Sequence, residues 1–178
     1  MSSIKLYIAT TLDGFIARED GALDWLHDLP NPNHIDYGYR AFFSGIDTVV
    51  MGRKTYEEIL GFGVEWPYAN CTSYVVSTEE NYRPRTNDTS VLSRVDEASI
   101  KTLKRNSRRG VWIVGGGQVI TEFLNNSQVD EMILSIIPTI LGKGVRLFPH
   151  EPKETKFDLI QAEPFETGVV NLTYRRKK

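Results

Sequence analysis

The chain is poor in cysteine, in histidine and in long apolar runs. Cys71 is the only cysteine among 178 residues, which excludes an internal disulfide framework. A lone thiol in an apolar setting reads as a small buried hydrophobe in a reducing compartment. The three histidines, His27, His34 and His150, have neither metal-ligand spacing nor a carboxylate pattern around them. They read as surface residues, and no metal site is expected. No apolar run approaches the ~20 residues of a membrane span, and no charged-then-apolar leader follows Met1. A cytoplasmic protein is expected. The formal charge of -2 argues against a general nucleic-acid binder. No Ser–His–Asp or Cys–His pattern offers a nucleophile.

What is present suits one globular domain spanning residues 1–178. A chain of this length buries ~70% of its unfolded surface, so its core needs no staple. Hydrophobic residues make up 40% and charged residues 25%, an ordinary soluble balance. The runs "IKLYIAT", "DTVVM", "CTSYVVS", "TSVLS" and "VWIV" read as strands from their β-branched and aromatic content. Helical patterns alternate with them: "DYGYRAFFSG" from Asp36, "RKTYEEIL" from Arg53, "VDEASIKTLKRNS" and "GQVITEFLNN". Alternation of this kind predicts an α/β fold with a mostly parallel sheet. The last third holds strands alone: "EMILSIIPTIL", broken at Pro138, then "FDLIQAEPF" and "VVNLTYRR". These predict antiparallel additions at one edge.

Three consecutive glycines, Gly115 to Gly117, follow the strand "VWIV" and open a helix. Glycine has the most backbone freedom to lose, so three together at a core edge call for a reason. A tight turn is one. Close approach of a ligand is the other, because a helix N-terminus at the carboxyl end of a strand attracts phosphate. The fingerprint GxGxxG does not fit, since Ile120 occupies the third glycine position. A second strand–Gly–helix corner stands at "DTVVMGRKTYEEI". Arg53 and Lys54 lie in its first helical turn, where cations oppose the helix dipole. They read either as solvated surface charge or as partners of an anion. Two such corners, one with an arginine fork, suit a dinucleotide carrying an extra phosphate, NADP(H).

"VVMGRKTYE" (Val49–Glu57) and "IVGGGQVI" (Ile113–Ile120) resemble the two cofactor motifs of the dihydrofolate reductase superfamily. "LDGFIA" (Leu12–Ala17) and "DEMILSIIPTILGKGVRLFP" (Asp130–Pro149) resemble its sister branch, the reductase domain of the riboflavin-biosynthesis deaminase/reductase (the RibD C-terminal domain). The resemblance implies a dihydrofolate-reductase-like α/β fold. Its central sheet would have eight mostly parallel strands, about four flanking helices and antiparallel C-terminal strands. It implies NADPH across the carboxyl ends of the strands, held by Gly52, Arg53, Lys54 and Thr55. Ser77 and Thr78 would lie near the 2′-phosphate. Gly115, Gly116 and Gly117, followed by Gln118 and Val119, would meet the pyrophosphate, with a cis bond between Gly115 and Gly116. Ala9, Thr10, Ile16 and Ala17 would line the nicotinamide pocket.

The implied activity is hydride transfer to a small planar nitrogen heterocycle. The candidate acid is Asp36, fifteen residues before Met51, where the resemblance places a buried carboxylate of raised pKa. Asp36 equally reads as a helix cap. Tyr37 reads as a substrate contact or as core, and Asp13 as a turn residue or a substrate contact. Trp25 is either an aromatic closing over the substrate or simple packing. A binding module without turnover stands as the alternative to an enzyme. The resemblance also implies a homodimer through the C-terminal strands.

Overall fold

Val49, Val50 and Met51 point alternately to opposite sides of their strand, and all three are fully buried. A strand covered on both faces belongs inside a parallel sheet. In the computed structural model, which describes residues 2–177, these residues form β3 (Thr48–Gly52). The other elements before the last third are β1 (Ser3–Thr11), β2 (Phe15–Ala17), α1 (Asp24–His27), α2 (Tyr39–Ser44), α3 (Arg53–Gly61), β4 (Thr72–Val76), β5 (Thr89–Leu92), α4 (Glu97–Asn106), β6 (Gly110–Gly115) and α5 (Gly117–Asn125). There follow β7 (Glu131–Ile137), β8 (Val145–Arg146), β9 (Phe157–Pro164) and β10 (Val170–Arg176).

The eight-stranded sheet has the order β5-β4-β3-β6-β1-β7-β10-β9. Its first six strands are parallel, and β10 and β9 are added antiparallel, as the strand-only ending of the sequence predicts. The sheet is covered on both faces. On one side Ile100 and Leu103 of α4 and Ile120 and Phe123 of α5 pack on Ile4, Leu6 and Ile113. On the other, Tyr56 and Ile59 of α3 and Phe42 and Phe43 of α2 pack on Val49, Met51 and Trp112. β9 is the far edge, with Leu159 and Ile160 exposed. Among the described residues, no helix is long and apolar enough to cross a membrane.

Among the described residues, five helices stand where about four were expected. The fifth is α1, a single turn without a periodic pattern to announce it. The short pair β2 and β8 was also not anticipated; it joins Phe15 to Arg146, a contact between distant segments. α2 begins at Tyr39, not Asp36, because Gly38 takes a left-handed φ of 81° and holds the preceding residues off the helix.

Asp47 fixes the entry to β3. Its carboxylate accepts hydrogen bonds from Ser107 Oγ (2.6 Å), Arg108 N (2.9 Å), Arg109 N (2.9 Å) and Thr48 Oγ1 (3.1 Å). Burial pushes its pKa up, but these donors outweigh it and hold the carboxyl below its ordinary value. A carboxyl depressed in the fold binds its proton more readily once unfolded. The stabilisation is therefore present at neutral pH and lost as pH falls from the ordinary carboxylate range through the depressed value. Asp47→Asn is expected to lower stability at neutral pH by about 1–3 kcal/mol. Urea unfolding at several pH values should show the variant losing less stability on acidification than the parent. Identical profiles would remove Asp47 from this role.

Candidate functional site

The chain leaves β3 through α3 toward β4 on one side, and leaves β6 through α5 toward β7 on the other. β3 and β6 are neighbours, so the direction of winding reverses between them. In open α/β sheets such a reversal leaves a crevice at the carboxyl ends of the strands. Both strands end there in glycine. Met51 pairs with Gly115, which sets the two corners side by side. A Cβ placed on Gly52 would lie 3.3 Å from Val119 Cγ2 and 3.9 Å from Gly116 N.

The helices that open at these corners lack side-chain caps. α4 shows the opposite: Asp96 accepts from Ser99 N, and Ser99 Oγ accepts from Asp96 N, a complete capping box. The first N–H groups of a helix have no partner within it. The first residues of α3 and α5 line one cleft of about 670 Å³, together with both glycine corners. The Gly115–Gly116 bond is cis, as the resemblance implies.

The three glycines have different reasons. Gly115 has φ +143°, which side chains rarely adopt. Gly117 could not carry a Cβ, because that atom would stand 2.5 Å from the Arg146 carbonyl oxygen and 2.8 Å from Pro149 Cδ. Gly116 is free of both constraints. Its Cβ would meet only Thr55 Oγ1, at 3.4 Å, in the space between the two helix starts.

The far end of the cleft is apolar. Ile8, Ala9, Ile16, Ala17, Leu23 and Leu26 line it. The near end is charged: Arg53, Lys54, Glu79 and Arg94 line it together with Ser77 and Thr78. Gln118 and Val119 complete the wall at α5. The expected cofactor residues thus come together, with one exception. Thr10 is buried behind the wall, where its Oγ1 donates to the Phe15 carbonyl and ties β1 to β2.

The expected substrate residues do not join that lining. Asp36 is exposed, and its carboxylate accepts from Gly38 N (3.0 Å) and Arg40 N (3.2 Å). These two backbone donors hold its carboxyl below the ordinary value. The expected buried acid of raised pKa is therefore corrected: Asp36 organises the entry to α2. Asp13 accepts from Thr11 Oγ1, Leu141 N and Gly142 N, clamping the β1–β2 turn to the loop after β7. Trp25 is buried against Ile137 and Val169 and does not close over the cleft. Tyr37 packs edge-on against Phe165 and donates its hydroxyl to Thr167 Oγ1.

Beneath α2 lies a polar network that the sequence did not announce. Tyr7 OH and Asn171 Nδ2 both donate to the Tyr37 carbonyl, at 3.1 and 2.7 Å. Ser135 Oγ donates to Asn171 Oδ1 at 2.6 Å. Burial raises the Tyr7 pKa, so its hydroxyl stays a donor. Glu58 and Glu122 were also missed. Both line the cleft, and burial pushes both above the ordinary carboxylate range. Glu122 had a signal, standing one helical turn beyond Gln118 on the same face.

Two uncapped helix starts, an open Gly116 position between them and an apolar far end fit a dinucleotide: an anionic middle and a flat, neutral ring. Residues 2–171 match the family model of the RibD C-terminal domain. The uncharacterised protein YwjB of Bacillus subtilis (strain 168) is 34% identical over 165 residues, covering 92% of each chain. A protein of Shewanella sp. PV-4, provisionally named a riboflavin biosynthesis protein, has a crystal structure with TM-score 0.89 and 33% identity, covering 99% of both chains. A dihydrofolate reductase from Enterococcus faecalis, solved with NADP(H), superposes with TM-score 0.71 at 20% identity, over 99% of this chain and 97% of that one. The last likeness establishes the dihydrofolate-reductase-like fold.

Proposed function

The chain belongs to the RibD C-terminal domain family, and from that premise we propose that it is an NADPH-dependent reductase of a small planar nitrogen heterocycle, a pteridine or an aminopyrimidine. The observation that carries this reading is the pair of uncapped helix starts at Gly52–Arg53 and Gly116–Gly117, opening on one cleft with an apolar far end. Backbone N–H groups of α3 and α5 would hold the phosphates, with Thr55 and Gly116 at the closest approach. Ser77, Thr78 and Arg53 would meet the adenosine end. Ala9, Ile16 and Ala17 would seat the nicotinamide, which supplies a hydride when bound.

The apolar end excludes water and orients the reacting faces. Glu58 lines the cleft opposite Gly21: a Cβ on Gly21 would stand 2.6 Å from Glu58 Oε1. Burial raises its carboxyl above the ordinary value, against the opposing charge of Lys54, which is the direction a proton-handling acid requires.

A second reading is a nucleotide-binding module without turnover. The exposed Asp36 favours it, because the carboxylate to which the resemblance gives the substrate's anchor faces solvent and is engaged by the backbone of its own loop. Nicotinamide absorbance decides between the two. Consumption of NADPH with a panel of pteridines and aminopyrimidines is expected. Tight NADPH binding with no consumption across the panel would favour the module.

A further inference from the structure

We propose that Glu79 sets the cleft's choice between a 2′-phosphorylated and a plain adenosine dinucleotide, by competing with the phosphate for Arg53. The inference rests on the nucleotide reading of the cleft. Arg53 is the first residue of α3, and its side chain is already engaged. Arg53 Nη1 lies 3.3 Å from Glu57 Oε1 and 3.6 Å from Glu79 Oε2, and its guanidinium carbon stands 5.8 Å from the centre of the Tyr82 ring. Glu57 is one turn along the same helix, a pairing that helix geometry supplies by itself.

Glu79 is different. It comes from the loop after β4, and its backbone N–H donates to Ser77 Oγ at 3.2 Å. That loop turns the acidic side chain back over the start of α3. A negative charge thus lies beside Arg53, where Arg53, Lys54 and the helix dipole would draw a phosphate. The other arginine at this end is occupied as well, since Arg94 Nε lies 2.6 Å from Asp96 Oδ2.

A ribose hydroxyl can donate to a carboxylate, and acidic residues in other dinucleotide sites select the unphosphorylated ribose in this way. A phosphate in the same place must displace the carboxylate and repel it. Arg53 therefore attracts the 2′-phosphate while Glu79 opposes it, and the preference for NADP(H) over NAD(H) is narrower than Arg53 and Lys54 alone would give.

Calorimetric titration of the full chain with NADP+ and with NAD+ tests this. Glu79→Gln is expected to tighten NADP+ by about fivefold, the scale of an exposed ion pair, and to leave NAD+ unchanged or weaker. In an Arg53→Gln background the same substitution should change the ratio of the two affinities by clearly less, because the competition for Arg53 is gone and only the direct repulsion and the ribose contact remain. Equal tightening of both nucleotides would overturn the proposal, since it would mark a general charge effect. So would an unaltered ratio in Glu79→Gln, or a change of the same size without Arg53. If the parent protein bound neither nucleotide, the reading of the cleft would fall first, and Glu79's role with it.

Discussion

Replacing Gly117 by alanine is expected to destabilise the protein by about 2–3 kcal/mol, the cost of overpacking a tight site. For a chain of this length that lowers the melting temperature by about 5–10 °C. The added Cβ would stand 2.5 Å from the Arg146 carbonyl oxygen and 2.8 Å from Pro149 Cδ. Neither neighbour is the loose end of a side chain. Arg146 is in β8, which is paired to β2, so its carbonyl cannot retreat without moving both strands. Leu147 N also donates to the Gly14 carbonyl at 2.9 Å, which ties the next residue down. Calorimetric melting of the variant measures the effect. A melting temperature equal to the parent's would show that this approach of α5 to the β8 segment is not tight.

Gly116→Ala is expected to do the reverse. Its backbone is extended, with φ -84° and ψ -167°, which alanine adopts without strain. The new methyl meets only Thr55 Oγ1, at ordinary contact distance. Stability should stay within about 0.5 kcal/mol of the parent, because the φ and ψ suit alanine and the added methyl crowds no neighbour. The methyl would instead fill the gap between the two helix starts. NADPH affinity should fall about tenfold or more, the equivalent of about 1.4 kcal/mol. Fluorescence titration with NADPH reads this directly. A folded variant with the parent's dissociation constant would show that nothing needs the space in front of Gly116. Adjacent glycines thus separate fold from binding: one is required by the protein's own backbone, the other by what enters the cleft.

The parallel sheet and its two glycine corners are legible in the sequence because their signals are local. "DTVVMGRKTYEEI" carries strand, corner and helix in one stretch, and so does "VWIVGGGQVITEFL". The strand break at Pro138 is local in the same way. The misreadings are non-local. Counting back from Met51 reaches Asp36, but whether that residue faces the cleft depends on how the preceding loop returns to the sheet. Gly38, with its left-handed φ, turns Asp36 to the surface instead. Trp25 has the look of a lid, yet Ile137 and Val169, far along the chain, bury it. No spacing rule connects Tyr7, Ser135 and Asn171, which meet only because β1, β7 and β10 are adjacent in the sheet. Gly117 looks like its two neighbours in sequence, and only the approach of Arg146 and Pro149 tells it apart.

The central claim is that the cleft between β3 and β6 binds a nicotinamide dinucleotide. Thermal unfolding of the protein alone, with NADPH and with NADH, tests it most directly. A ligand at 100 times its dissociation constant adds about 2.7 kcal/mol to the stability of the folded state. For a chain of this length that raises the melting temperature by about 5–10 °C. A rise of this order with NADPH, cut to about half or less in Gly116→Ala at the same concentration, is the predicted result. No rise with either dinucleotide would contradict the account and leave the two glycine corners without a ligand.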